Sequence, residues 1–124
     1  MKTIVSWQLP IKTASEANSS EHWTKKAKRH KIQKNWVKWA YHSDKPRIQI
    51  PCTVVLTRIA PRALDSHDNL PTSLKYLADG VAECLIPGKA VGRADDCKEI
   101  TWEYRQEKGK PKEYAVRIEI MEPV

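Results

Sequence analysis

Leu70, Leu74, Leu77, Ala78, Val81, Ala82 and Leu85 recur at the i, i+4, i+7, i+8 spacing of a single helix face. No other segment narrows the possible folds as much, because a stripe this continuous must be buried against another layer. The spacing predicts a helix that starts near Asp68 or Asn69. Pro71 is compatible with it, since a first-turn residue has no intrahelical acceptor for the N–H that proline lacks. Gly80 costs such a helix about 1 kcal/mol relative to alanine, and its retention marks a close approach to a neighbouring element.

The segments around this helix supply the layer. Ile4, Trp7 and Leu9 mark a first strand that Pro10 stops, followed by a polar loop over 11–20. Asn18 with Glu21 fits a capping box for a first helix extending to about Tyr41, with Pro46 beyond it. The run from Ile48 to Ile59, with Val54, Val55 and Leu56 inside it, reads as a central strand closed by Pro61. "IPGKAVGRA" at 86–94 is loop. Ile100, Trp102 and Tyr104 alternate, as do Val116, Ile118 and Ile120, and "RQEKGKPKE" lies between them. This pattern predicts a C-terminal β-hairpin. The fold class is therefore α+β, a two-layer domain over 1–124 with a small mixed sheet and two helices. Its predicted order is strand, helix, strand, helix, hairpin.

At 124 residues the chain is the size of one domain and can bury a core. No apolar run nears the roughly 18 residues of a membrane span, and the N-terminus lacks a signal peptide's apolar region. Cys52, Cys84 and Cys97 are odd in number and widely spaced, a pattern of reduced thiols rather than of a disulfide framework. These features lead us to expect a cytoplasmic protein with no membrane partner.

Charge is divided unevenly. The net charge is +7, yet residues 1–62 hold thirteen Lys/Arg against three Asp/Glu, and residues 63–124 nine against twelve. The basic half favours a polyanionic partner, nucleic acid above all. Its centre is the first helix, where Lys25, Lys26, Lys28, Arg29, Lys31 and Lys34 are candidate DNA-binding residues, with Lys38 beyond them. At 100° per residue, Trp23, Ala27, Val37 and Tyr41 share one face, while Ile32, Trp36 and Trp39 cluster roughly opposite. One patch would pack on the chain's own sheet, the other on a loop, a second subunit or nucleic acid. Lys110, at the predicted hairpin tip, is a further candidate for backbone contact or a solvated turn residue.

Against this basic background stands "RALDSHDNLPTSLKYLADG". On a helix starting near Asp68, the residues Asp68, Thr72, Lys75 and Asp79 project from one face, roughly opposite the leucine stripe. Asp65 precedes them, and Asp95-Asp96 sits before the Ile100 strand. Converging carboxylates repel one another unless a cation neutralises them, and oxygen ligands suit Mg²⁺ or Mn²⁺ rather than zinc. Such an ion binds a scissile phosphate and activates water, and a nearby lysine neutralises developing charge. The same residues also read as a well-capped helix start, because Asp68 and Asn69 are good N-cap residues. His22, His30, His42 and His67 show no zinc spacing, and neither a P-loop nor a GxSxG element is present.

The order "LDSHDNL…K…DG", then "DD", then "ITWEYRQEKGK…YAVRIEI", resembles the RusA family of phage and prophage Holliday junction resolvases. The resemblance runs from about Ile48 to Ile120, and the basic helix agrees with the family in character. It implies a small homodimer that nicks symmetrically placed strands of a four-way DNA junction with Mg²⁺. Carried onto this chain, the family's metal chemistry falls on Asp65, Asp68 and Asp96, with Asp95 adjacent. The family's usual spacing is Asp-x-Asp-Asn, whereas Ser66-His67 separate Asp65 from Asp68 here. The position of the family lysine is held by Thr72, and Lys75, one turn further on the same face, is the candidate for its role.

The leading expectation is a Mg²⁺-dependent, structure-specific endonuclease acting on branched DNA as a homodimer. The alternatives are a non-catalytic DNA-binding or recombination-accessory protein of the same fold, and a basic RNA- or partner-binding module whose aspartates only cap and solvate.

Overall fold

A computed structural model of the chain describes residues 2–13, 23–64, 69–86 and 99–123. In chain order the elements are β1 (Lys2–Leu9), α1 (Trp23–Asp44), β2 (Cys52–Ala60), α2 (Asn69–Leu85), β3 (Ile100–Lys108) and β4 (Ala115–Glu122). The four strands form one mixed sheet in the order β1-β4-β2-β3. Strand β4 is antiparallel to both β1 and β2, and β2 is parallel to β3. The domain is α+β, a mixed four-stranded sheet with two helices.

The predicted C-terminal hairpin does not form. Strands β3 and β4 exist where their alternation placed them, but β2 lies between them. The reason is that β2 is buried at every position and needs a neighbour on both edges. The six residues after Lys108 therefore cross over the end of β2, where the Gly109 N–H donates to the Ala60 carbonyl at 2.8 Å. A Cβ on Gly109 would lie 3.2 Å from both the Glu113 carbonyl oxygen and Ile59 and 2.8 Å from Glu113 Oε1, so a larger residue would fit only with a small shift of these neighbours. The central strand also begins later than its apolar run, at Cys52, after a cis Ile50–Pro51 bond.

The register builds the core in rows. Trp7, Ile118, Leu56 and Tyr104 lie side by side across the sheet, as do Val5, Ile120, Val54 and Trp102. These side chains, with Val37 and Ala40 of α1 and Leu70, Leu74, Leu77, Ala78 and Val81 of α2, make one apolar cluster. Both helices thus cover the same sheet face. The opposite face carries Glu103, Arg105, Glu107 and Arg117, with ion pairs Arg105–Glu103 at 2.6 Å and Arg117–Glu107 at 3.0 Å.

The leucine stripe of α2 is buried as expected, apart from a half-buried Leu85. Gly80 does mark a close approach: a Cβ there would lie 3.4 Å from the Val37 Cβ and 3.5 Å from the Lys34 Cα. That contact corrects the reading of Asp79. It is 4% exposed rather than projecting with Lys75, because α1 packs across the adjoining Gly80 and covers that arc of α2. The faces of α1 also differ from expectation. Its buried residues are Gln33, Val37 and Ala40, while Trp23 is 71% exposed. The opposite cluster is divided, with Trp36 packed against the core, Trp39 60% exposed and Ile32 48% exposed.

Candidate nucleic-acid interface and the ends of the acidic loops

Helix α1 presents its basic residues in two rows, one on each side of the buried line Gln33, Val37, Ala40. The first row faces the segment that follows β1. There Lys25, Lys28 and Arg29, together with Lys12, border a cleft of about 360 Å³. Pro10, Ile11, Ile32 and Trp36 supply its apolar walls, and Gln33 also lines it. The cleft adjoins a second apolar hollow formed by Ile32, Asn35, Trp36 and Trp39, so the two share Ile32 and Trp36. The Trp36 and Trp39 rings meet edge to face at 5.6 Å.

The second row faces α2. Lys31, Lys34 and Lys38 border a groove of about 380 Å³, with Ala27, His30 and Tyr76. The His30 and Tyr76 rings are stacked, with centroids 3.4 Å apart and 13° between planes. Lys34 is tied down here, its Nζ 3.2 Å from Glu83 Oε1, and Lys38 lies 4.0 Å from the other carboxylate oxygen. The predicted DNA-binding residues therefore differ in availability. Lys25, Lys28 and Lys31 are exposed, Lys26 and Arg29 are half-buried, and Lys34 spends its charge on Glu83. Lys110 is exposed in the β3–β4 crossing, where its backbone N–H donates to Glu113 Oε1 at 2.9 Å.

Asp65, Asp68, Asp95 and Asp96 lie outside the described residues. Of the predicted catalytic group, Lys75 is described and exposed on α2, and Thr72 donates its hydroxyl to the Asn69 carbonyl at 3.3 Å. Among the described residues, no three His, Cys, Asp or Glu side chains converge in a manner that could hold a metal ion. What the structure does define is how the chain reaches Asp65. Arg58 and Gln106 are partners across the β2–β3 ladder and both grip the segment leaving β2. Arg58 Nη1 donates to the Arg62 carbonyl at 2.7 Å, and its Nε donates to Thr13 Oγ1 at 3.0 Å. Burial works against the charge of the Arg58 guanidinium and lowers its pKa from the usual value, partly offset by Tyr114.

Gln106 then clamps Leu64 by both backbone groups. The Leu64 N–H donates to Gln106 Oε1 at 2.9 Å, and Gln106 Nε2 donates to the Leu64 carbonyl at 2.7 Å. A side-chain amide is suited to this because it carries a donor and an acceptor side by side. Gln106 and Arg58 are residues that sequence reasoning missed. Their signal was a polar pair at strand positions that read as core, Arg58 in the buried β2 and Gln106 on the face of β3 opposite its charged residues.

Cys52 is buried, and Cys84 is half-buried with its thiol pKa pushed up by burial, against a lowering by Lys38 and a further rise from Glu83. No helix among the described residues is long and apolar enough to cross a membrane. No family model, curated protein or solved structure matches the chain.

Proposed function

We propose that this chain is a Mg²⁺-dependent, structure-specific DNA endonuclease that acts on four-way junctions as a homodimer. The observation that carries the reading is the pairing, in one small domain, of a helix lined with exposed lysines and the sequence "LDSHDNL" at the entry to α2. Asp68 is the residue immediately before the first residue of that helix. A helix N-terminus favours negative charge, so it supports a carboxylate there and a phosphate brought to it. In this reading Asp65, Asp68 and Asp96, with Asp95 beside them, would hold the ion, and the bound ion would supply Lewis-acid activation of water and of the scissile phosphate. Lys75 neutralises charge on the phosphate, and two copies supply the two sites that paired nicks require.

The topology places a condition on this ligand set. Strands β2 and β3 run parallel, so residues 65–68 follow the C-terminal end of β2 while 95–96 precede the N-terminal end of β3. Leu64 is held at Gln106, about 23 Å along the strand from Glu99 at a strand's rise per residue. The chain from Asp96 to Glu99 spans at most about 11 Å. A shared ion within one chain therefore requires residues 96–98 to extend toward Asp65 and Asp68. Asp65 and Asp68 form the primary pair, and Asp96 is the ligand under the tightest constraint.

The test is a gel assay on a synthetic four-way junction with and without Mg²⁺. Paired nicks that appear only with the metal are the expected result. Salt-sensitive binding with no cleavage in Mg²⁺ or Mn²⁺ would instead identify a DNA-binding accessory protein.

A further inference from the structure

The cleft between α1 and the segment after β1 combines three features that general DNA affinity does not require. Its rim is cationic, from Lys12, Lys25, Lys28 and Arg29. Its wall is aromatic, from Trp36. Gln33, which also lines it, is 1% exposed, and neither its Oε1 nor its Nε2 has a hydrogen-bond partner. A buried carboxamide left in that state is costly, and isolated cases in folded proteins call for an explanation. An apolar residue of the same size would fill the position without the penalty.

We propose that this cleft binds one unpaired nucleotide of a DNA strand. The base lies along Trp36, its edge is read by the Gln33 carboxamide, and the flanking phosphates rest on the lysine and arginine rim. The chemistry matches at each point. A carboxamide offers an adjacent donor and acceptor, the complement of the paired groups on a base edge. Aromatic side chains in a basic groove are the recurring platform for unpaired bases. The flexible Gln33 side chain lets its amide turn from the core into the cleft when a base arrives. A volume of about 360 Å³ admits a nucleotide, and the neighbouring Ile32–Trp39 hollow continues the platform for a second base. An acidic peptide would satisfy the rim, and its backbone would pair with the amide as Leu64 pairs with Gln106, but it would leave the ring unused.

The proposal shares with the endonuclease reading only the assumption of a DNA partner. It needs neither metal nor the aspartates, so it is tested in EDTA, where failure of the nuclease reading has no effect on the result. Fluorescence anisotropy of the full chain is measured with two short labelled single strands of equal charge, one bearing bases and one abasic throughout. We expect the base-bearing strand to bind about tenfold more tightly, the scale of one bidentate base contact. Gln33→Leu should lower that preference by the part the amide supplies, leaving the part owed to stacking on Trp36, while melting at the same temperature as the wild type or higher. If that variant melts early, the linear Gln33→Met takes its place. Lys28→Ala should weaken binding of both strands and flatten the salt dependence. Equal affinity of the wild type for the two strands overturns the proposal, as does a preference that loss of the amide leaves unchanged. Competition by a polyglutamate peptide as effective as that of the base-bearing strand overturns it as well.

Discussion

Replacing Gln106 with alanine tests whether the segment leading to Asp65 is held as the structure describes. The substitution removes two hydrogen bonds, at 2.9 and 2.7 Å, from the Leu64 N–H and carbonyl. Each is worth about 1 kcal/mol net, and water reaches the partly buried groups only in part, so the cost is about 1–2 kcal/mol. For a domain of this size that corresponds to a fall in Tm of about 4–8 °C. Gln106→Glu sharpens the test. Its carboxylate can accept from the Leu64 N–H, but its second oxygen then faces the Leu64 carbonyl. Protonation restores a donor, so the folded state raises the pKa of this glutamate above its unfolded value. The variant should therefore be nearest to wild type below the ordinary glutamate range and lose stability as pH rises through the raised value. Thermal melts across pH and hydrogen exchange at the Leu64 amide provide the measurements. An unchanged Tm in Gln106→Ala together with unchanged exchange at Leu64 would refute the clamp. If residues 65–68 carry the chemistry, the same alanine variant should lower kcat for junction nicking and leave junction affinity intact.

Gly80→Ala should be neutral or stabilising by up to about 1 kcal/mol, because its Cβ meets Val37 and Lys34 at ordinary contact distance and helix propensity improves. Gly80→Val, by contrast, should push α1 away and cost about 1–3 kcal/mol; urea denaturation distinguishes the two. Lys28→Ala should reduce the salt slope of DNA binding more than Lys34→Ala, since Lys34 is already paired with Glu83; titrations at several salt concentrations check this. Alkylation of the native protein should be slow at Cys84 and slower at buried Cys52. Because burial raises the Cys84 pKa, its contribution to stability holds below the usual thiol range and falls away as pH rises through the raised value. Melts from neutral to alkaline pH on wild type and Cys84→Ala isolate that contribution.

Helix α2 and strand β2 were legible because their patterns admit one reading each. Seven apolar residues at helical spacing can face only one way, and an apolar run that alternates poorly is that of a strand with neighbours on both edges. The same fact about β2 explains the misplaced hairpin. The alternation of β3 and β4 is equally consistent with pairing to each other or to a third strand, and adjacency in sequence favours the wrong choice. A central strand with the unbroken apolar run Val54-Val55-Leu56 was the available counter-signal. Helix α1 was read less well, because its apolar residues surround the helix and periodicity could not select the buried line. That line is Gln33, Val37 and Ala40, and a buried glutamine is invisible to a hydrophobic pattern. Arg58 and Gln106 were missed for a related reason: they occupy inward-facing strand positions where their function, holding the chain that leaves β2, arises only from tertiary structure. The basic character of α1 was legible from charge alone, although its division into two rows and the pairing of Lys34 with Glu83 were not.

The two proposals divide the molecule in a physically coherent manner. The basic rows and the cleft lie on α1, while the proposed chemistry lies at the entry to α2, and the two helices meet tightly at Gly80. In the proposed reading, a DNA strand held along α1 lies on a helix packed directly against the one that Asp68 precedes.

The central claim is tested most directly by comparing wild type with Asp68→Asn on a four-way junction, with binding measured in EDTA and nicking measured in Mg²⁺. The account predicts equal junction affinity for the two proteins, paired nicks by the wild type, and no Mg²⁺-dependent nicking by the variant. Cleavage by Asp68→Asn at the wild-type rate would contradict it.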